Sequence, residues 1–298
     1  MQAYNSPIEE IKTFFKQRSL LARLILINLA VFVLANLINL FFWLGASDGT
    51  SIMVRWFAVP SNINVLILKP WTLLTYMFLQ ESFFHLFFNM VILYFSGRIF
   101  TEYLNSSKLL SAYIWGGLFG AFLFVSTYNI FPVFQGAVYY SVPLLGSSAA
   151  VIAILIAIAT YVPNYNVQLI LVGRVKLKHL AIFFIVIDVL SIQRGNAGGH
   201  ISHLGGALWG FTYIWLLKNG YTMNWSRFKL PKFSFRSKPR KAYSNPEKKG
   251  RPMSDDEFNR RKNRDQKEID RILEKISKSG YSSLTNKEKE LLFKSSNK

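Results

Sequence analysis

Apolar runs long enough to cross a bilayer recur between Leu20 and Leu217, and they are the wrong length and number for a single secretory signal peptide. With 51% hydrophobic and 16% aromatic residues in 298 and a mean hydropathy of +0.23, a cytosolic enzyme of this composition would be hard to keep in solution. Windows bounded by charges and turn residues predict helices at 20–44, 83–100, 109–131, 147–162, 179–192 and 202–217. The expected fold class is all-α, a polytopic bundle of six transmembrane helices, and an even number of spans puts both termini on one side.

Short loops rich in Lys and Arg mark the cytoplasmic side. Lys12, Lys16, Arg18 and Arg23 precede or open the first span, and by alternation the loops with Arg98 and Lys108 and with Arg174, Lys176 and Lys178 lie on the same side, as does the basic tail. The opposite loops are poorer: 129–146 holds no Lys or Arg, 45–82 holds Arg55 and Lys69, and 192–201 holds Arg194. The expected location is the cell (inner) membrane, with both termini cytoplasmic. Segment 45–82 is rich in residues such as Trp56, Phe57 and Trp71 that favour a bilayer boundary, and is expected to lie half-sunk in the outer interface. Segment 167–178 alternates about Gly173-Arg174 and reads as a short hairpin.

The formal net charge of +19 is unevenly spread: from Arg227 onward 22 basic residues face 10 acidic ones, a net +12. The expected organisation is a cytoplasmic segment 1–19, a membrane core 20–218, a basic linker 227–251 and a small helical hairpin 254–298. The linker has ten Lys or Arg against Glu247 alone, with three prolines, and cannot pack a core. Anionic lipids are its expected partner; nucleic acid is disfavoured because no aromatic stacking pattern accompanies the charge. In the hairpin, capping boxes at 254–257 and 285–288 start two helices, and Ile269, Ile272, Leu273 and Ile276 form an apolar stripe. The absence of cysteine excludes a disulfide, a thiolate metal site, an iron–sulfur cluster and a cysteine nucleophile, and leaves the compartment unread.

Ionisable and amide side chains inside spanning helices are costly and so point to a site. The second, fourth and sixth predicted spans run in the same direction, and each carries such residues in its first turns: His85 and Asn89, Ser147 and Ser148, and His203. His85 and Asn89 share a helix face and can aim two donors at one point; the same pair could serve as interhelical glue. Gly146-Ser147-Ser148-Ala149 puts a hydroxyl at a helix start, where free N–H groups favour negative charge, although Ser is also an ordinary cap. Gly206-x-x-x-Gly210 offers a groove for a neighbouring helix backbone. If that neighbour is the fourth span, Ser148 and His203 meet, the minimum for an activated nucleophile. Asp188 could orient His203 as a third member or lie solvated at the interface. A metal on His200 and His203 is disfavoured, because no H-E-x-x-H pattern accompanies them, and the expected cofactor set is empty.

Taken together, His85-x-x-x-Asn89, Gly146-x-Ser148 and His203-x-x-Gly206-x-x-x-Gly210 resemble the rhomboid family of intramembrane serine proteases, bacterial type, over roughly 20–217; the stretch Pro70-Trp71-Thr72-Leu73-Leu74-Thr75, Gly97 and Glu102 support it. The resemblance implies Ser148 as nucleophile, His203 as base and then acid, His85, Asn89 and the Ser148 N–H as oxyanion donors, and membrane-protein substrates, single-span ones among them. It implies a dyad without a carboxylate, so that Asp188→Asn is expected to cost less than about tenfold in turnover, well short of a triad's aspartate. His200 has no implied role. Two positions depart from the pattern: Ala149 stands where Gly is most frequent, and Gln80 where many relatives have histidine. The rival readings are a non-catalytic relative that binds membrane clients and a small-solute transporter, the latter disfavoured because no internal repeat is visible.

Overall fold

The computed structural model describes residues 7–17, 19–169, 172–221 and 255–296. They fall into two compact units, one within 1–231 and the other within 232–298.

The first unit is mostly helical. Helix α1 (Pro7–Lys16) sets Phe14 edge-on against Tyr94 at 5.0 Å. Ser19 then caps α2 (Leu20–Leu44) by accepting from the Ala22 N–H at 3.1 Å. Segment 45–82 contains α3 (Gly49–Phe57), β1 (Val59–Pro60), α4 (Ile63–Leu68), α5 (Thr72–Thr75) and a 3-10 turn, Tyr76–Phe78. It is pinned to itself by stacked Trp56 and Trp71, the Trp71 Nε1–H donating to the Trp56 carbonyl at 2.8 Å. Helices α6 (Phe83–Tyr103) and α7 (Ser106–Ile130) follow, separated by Leu104 and the cap Asn105. After α8 (Gln135–Tyr139), β2 (Pro143–Leu144) pairs antiparallel with β1, Val59 opposite Leu144. Helix α9 (Ser148–Tyr161) leads to the hairpin of β3 (Asn166–Leu169) and β4 (Gly173–Lys176), then to α10 (Leu177–Ser191) and α11 (Ala197–Lys218).

Several predicted boundaries shift, each for a local reason. Helix α6 runs three residues past Phe100, and α7 starts at Ser106 because Asn105 caps it, accepting from the Lys108 N–H at 2.9 Å. Helix α11 starts at Ala197 rather than 202. Asn196, at φ 47°, caps it through the Gly199 N–H, and Gly198 and Gly199 are helical rather than breakers. A Cβ on Gly198 would lie 2.8 Å from the Phe124 ring, so close packing accounts for a residue that propensity disfavours.

Among the described residues, three helices are long and apolar enough to cross a membrane: α2, α6 and α7. The predicted fourth and fifth spans, α9 and α10, have 14 and 15 residues, and at about 1.5 Å per residue each falls short of a ~30 Å hydrocarbon core. Helix α11 has 22 residues, but five glycines, two histidines and Ser202 dilute its apolar character.

Helix α9 forms the centre and is buried from Ala149 through Ala159. Its neighbours α7 and α11 approach it along glycines. A Cβ on Gly206 would run into the Ala149 carbonyl oxygen, one on Gly210 into that of Ala153, and one on Gly116 into the Ala153 Cβ. Backbones come this near only where side chains are missing, which is how helices associate in lipid.

In the second unit, α12 (Asp255–Ser279) and α13 (Asn286–Ser296) form a helical hairpin closed by Ile272 and Leu284, both buried. Ile269 and Ile276 are half-buried, but Leu273 faces outward at 50% exposure, so the predicted stripe is narrower by one residue. The capping box at 285–288 is formed: the Thr285 N–H donates to Glu288 at 2.7 Å, and the Glu288 N–H to the Thr285 hydroxyl at 3.4 Å. Lys275 Nζ adds a contact to the same carboxylate at 2.9 Å. The basic linker 227–251 and the start of the first capping box lie outside the described residues.

Candidate active site

The turn before α9 decides where its first residues point. The β1–β2 pair and a hydrogen bond from the Gly146 N–H to the Tyr76 carbonyl, at 3.0 Å, tie this turn to segment 45–82. Gly146 itself has φ +126°, a conformation other residues rarely adopt. A Cβ there would lie 2.8 Å from Cε1 of His85, 3.4 Å from its Nε2 and 3.6 Å from the Ser148 Oγ. The imidazole of α6 and the hydroxyl of α9 therefore flank the same empty spot.

Ser147 is the N-cap residue of α9 yet makes no side-chain cap hydrogen bond. Its buried hydroxyl instead accepts from Gln80 Nε2 at 2.9 Å. Ser148, half-buried, is the first residue of the helix, where unpaired backbone N–H groups and the positive helix end favour a developing anion.

His203 comes from the second turn of α11, and the Gly206 contact with Ala149 brings the two helices together one residue from Ser148. Its Nε2 stands 2.7 Å from the Ser148 Oγ, and its Nδ1 2.8 Å from Oδ1 of Asp188 on α10. A carboxylate only accepts, so Nδ1 carries the proton and Nε2 presents a lone pair to the serine hydroxyl. Asp188 is 5% exposed, which removes the solvated placement considered for it. The same Oδ1 also lies 2.8 Å from Nδ1 of His200, a residue with no expected role.

The oxyanion candidates sit on α6 as expected from their spacing. His85 Nδ1 is buried without a hydrogen-bond partner among the described residues. Asn89 is buried, and its amide donates to Gln80 Oε1 at 3.1 Å. Gln80 also donates to Asn28 Oδ1 at 3.0 Å, and Asn28 in turn donates to the Tyr113 hydroxyl at 3.2 Å. Sequence reasoning noted Gln80 as a departure but missed this network. Asn28 was findable, because an amide within an otherwise apolar stretch such as 24–34 is itself the costly kind of residue.

Asp188, His200 and His203 offer ligand atoms within 4.8 Å of one another, the donor set a divalent cation would take. That use excludes the other. A metal on Nδ1 of His203 would leave the ring proton on Nε2, which could then no longer accept from Ser148. The hydrogen bonds already join all three side chains through Asp188, and none of them needs an ion to satisfy its contacts.

The family model for the Rhomboid domain matches residues 68–220, more than half of the 298. It begins after α2, whereas the resemblance read from the sequence reached back to Leu20. Residues 254–298 match a family of unknown function, DUF6576. Presenilin-associated rhomboid-like protein A, mitochondrial, from Danio rerio is 25% identical over 153 residues, which cover 50% of this chain and 37% of that protein. The chain thus spans little more than a third of that relative's length.

Proposed function

The chain belongs to the rhomboid family, and on that premise we propose that it is an intramembrane serine endopeptidase that hydrolyses peptide bonds in or near the transmembrane segments of other membrane proteins. The observation that carries this reading is the 2.7 Å approach of His203 Nε2 to a serine hydroxyl at the positive end of α9. Ser148 Oγ attacks the carbonyl carbon while His203 Nε2 takes its proton. The tetrahedral oxyanion is held by the Ser148 N–H, His85 and Asn89, and His203 returns the proton to the departing amine. Water, deprotonated by His203, then cleaves the acyl-enzyme and regenerates the hydroxyl.

In this reading α2, α6, α7, α9, α10 and α11 make six spans of the cell membrane, with both termini cytoplasmic on the argument of Lys and Arg placement. Because α9 covers only about 21 Å of a ~30 Å core, Ser148 lies below the outer surface. The substrate arrives sideways, as another helix whose backbone opens locally. The basic segment 227–251 binds the anionic inner leaflet, at about 1 kcal/mol per Lys or Arg near the surface.

The test is purified full-length protein in detergent with a single-span substrate and a fluorophosphonate probe. Wild type should cleave and label, Ser148→Ala should do neither, and His203→Ala should lose both. Cleavage that survives Ser148→Ala, or no cleavage of any single-span substrate by wild type, overturns the proposal, and the second result would leave a client-binding role. His85→Ala and Asn89→Ala should each lower kcat by about 10²-fold with little change in KM, as loss of a transition-state donor does.

A further inference from the structure

The family pattern implies a Ser–His pair, but this structure supplies more. We propose that Asp188 is a positioning residue that turns the pair into a triad, and that His200 braces it from the far side. The inference rests on the protease reading and deepens it.

An imidazole removes a proton from Ser148 only if the nitrogen facing the hydroxyl is unprotonated, and a free imidazole divides its proton between two nitrogens. A carboxylate on the remote nitrogen removes that ambiguity, fixes the ring plane and stabilises the imidazolium formed during attack. Asp188 Oδ1 stands at hydrogen-bond distance, 2.8 Å, from Nδ1 of His203, while Nε2 faces Ser148 at 2.7 Å. The three groups form one hydrogen-bonded chain from α10 through α11 to α9.

A carboxylate buried to 5% exposure must itself be compensated, because an uncompensated buried charge is costly. His200, one helical turn before His203, gives that compensation: its Nδ1 approaches the same Oδ1 at 2.8 Å, and its ring stands nearly perpendicular to that of His203, at 84°. Two N–H donors on one oxygen hold it from two directions. Helix α11 thus presents both donors, and α10 needs to contribute only the acceptor. This spacing makes His200 necessary to the placement of Asp188 without touching the substrate.

The balance of the reaction is unchanged. Asp188 stays ionised throughout, and no proton passes to it. Its effect is on the rate of the step in which Nε2 accepts from Ser148.

The experiment measures kcat and KM separately for full-length wild type, Asp188→Asn, His200→Ala and His200→Asn. Asparagine at 188 can turn its amide N–H toward Nδ1, which selects the wrong tautomer, and it carries no charge. Asp188→Asn should therefore lower kcat by about 10² to 10⁴-fold with KM within about twofold, and slow fluorophosphonate labelling of Ser148 in proportion. His200→Ala should lower kcat about three- to thirtyfold. His200→Asn should recover most of that loss, because its amide can donate from the place of Nδ1.

A wild type that cleaves through Ser148 and His203, beside an Asp188→Asn variant within threefold of it, overturns this proposal and leaves the protease reading standing. A wild type that cleaves nothing overturns that reading instead. Should Asp188→Asn lower thermal stability so far that it cannot be assayed, the His200 pair decides: no loss in His200→Ala, or no recovery in His200→Asn, refutes the brace and with it the need for a fixed carboxylate.

Discussion

Helices α2 and α9 are both strongly apolar, yet they occupy opposite positions in the membrane unit. Only 17% of the most apolar window of α2 is buried, and its buried residues end at Asn28, whereas α9 is buried from Ala149 through Ala159. The difference lies in side-chain size. Beyond Asn28, α2 presents large residues such as Leu34, Leu37 and Phe41 to its surroundings. Helix α9 sets Ala149 and Ala153 against glycines of its neighbours. In lipid, hydrophobicity alone does not draw helices together, because a leucine is as well solvated by an acyl chain as by another leucine. Close backbone approach selects the centre, and the residue that the centre carries at its end is Ser148.

The contrast predicts a graded series. Gly206→Val should have the largest effect, because its new atoms meet a backbone carbonyl that cannot rotate away. A loss of about 3 kcal/mol or more, at the upper end of overpacking penalties, is expected, with cleavage abolished; a variant that melts like wild type would break the comparison. Next comes Gln80→Ala, which strips a partner from Asn28, Asn89 and Ser147 together. Leaving such groups unpaired costs about 1–3 kcal/mol, and thermal denaturation in detergent measures it. Leu37→Ala on the exposed face of α2 should change stability by less than about 0.5 kcal/mol, and a larger loss would show that α2 packs against something after all.

The smallest effect belongs to the other unit, whose helices are joined at the rim by charge. The Glu288 carboxyl is pushed down to about 2 by the Thr285 N–H first, then by Lys275 and the Thr285 hydroxyl. Because the folded value lies below the ordinary 4.5, the order it confers is complete above that value and is lost as pH falls through about 2. Amide protection in the first turn of α13, taken relative to intrinsic exchange at each pH, should fall over that window in the full-length protein, and Glu288→Gln should abolish that change.

Much of this arrangement is legible in the residues themselves. The positions of the helices follow from apolar runs, and Ser148, His203, His85 and Asn89 stand out because polar groups are costly in such surroundings. What the sequence hides is partnership. Asp188 could be read as solvated or as engaged, and only the packing of α10 against α11 decides between them. Gln80 looked like a mere departure, because its three partners lie on α2, α6 and the turn before α9. The start of α11 lies earlier than expected because Gly198 and Gly199 weaken a helix locally, and nothing in the chain announces the Phe124 ring beside the first or the Asn196 cap beside the second.

Ala149 limits what α7 can carry opposite it. Its methyl group sits where a glycine's absence of one would leave a gap, and the room for it comes from α7: a Cβ on Gly120 would lie 2.6 Å from the Ala149 Cβ and 2.8 Å from the Ser202 Oγ. The same Cβ would stand 2.9 Å from the Ser202 carbonyl oxygen, so residue 120 is closed to a side chain from α9 and from α11 at once. Shedding the methyl of residue 149 would therefore not by itself admit one at residue 120, because a backbone oxygen of α11 still bars it. Three helices meet at that point, and only a backbone shift, not an exchange of side chains, would make room for a carbon on α7.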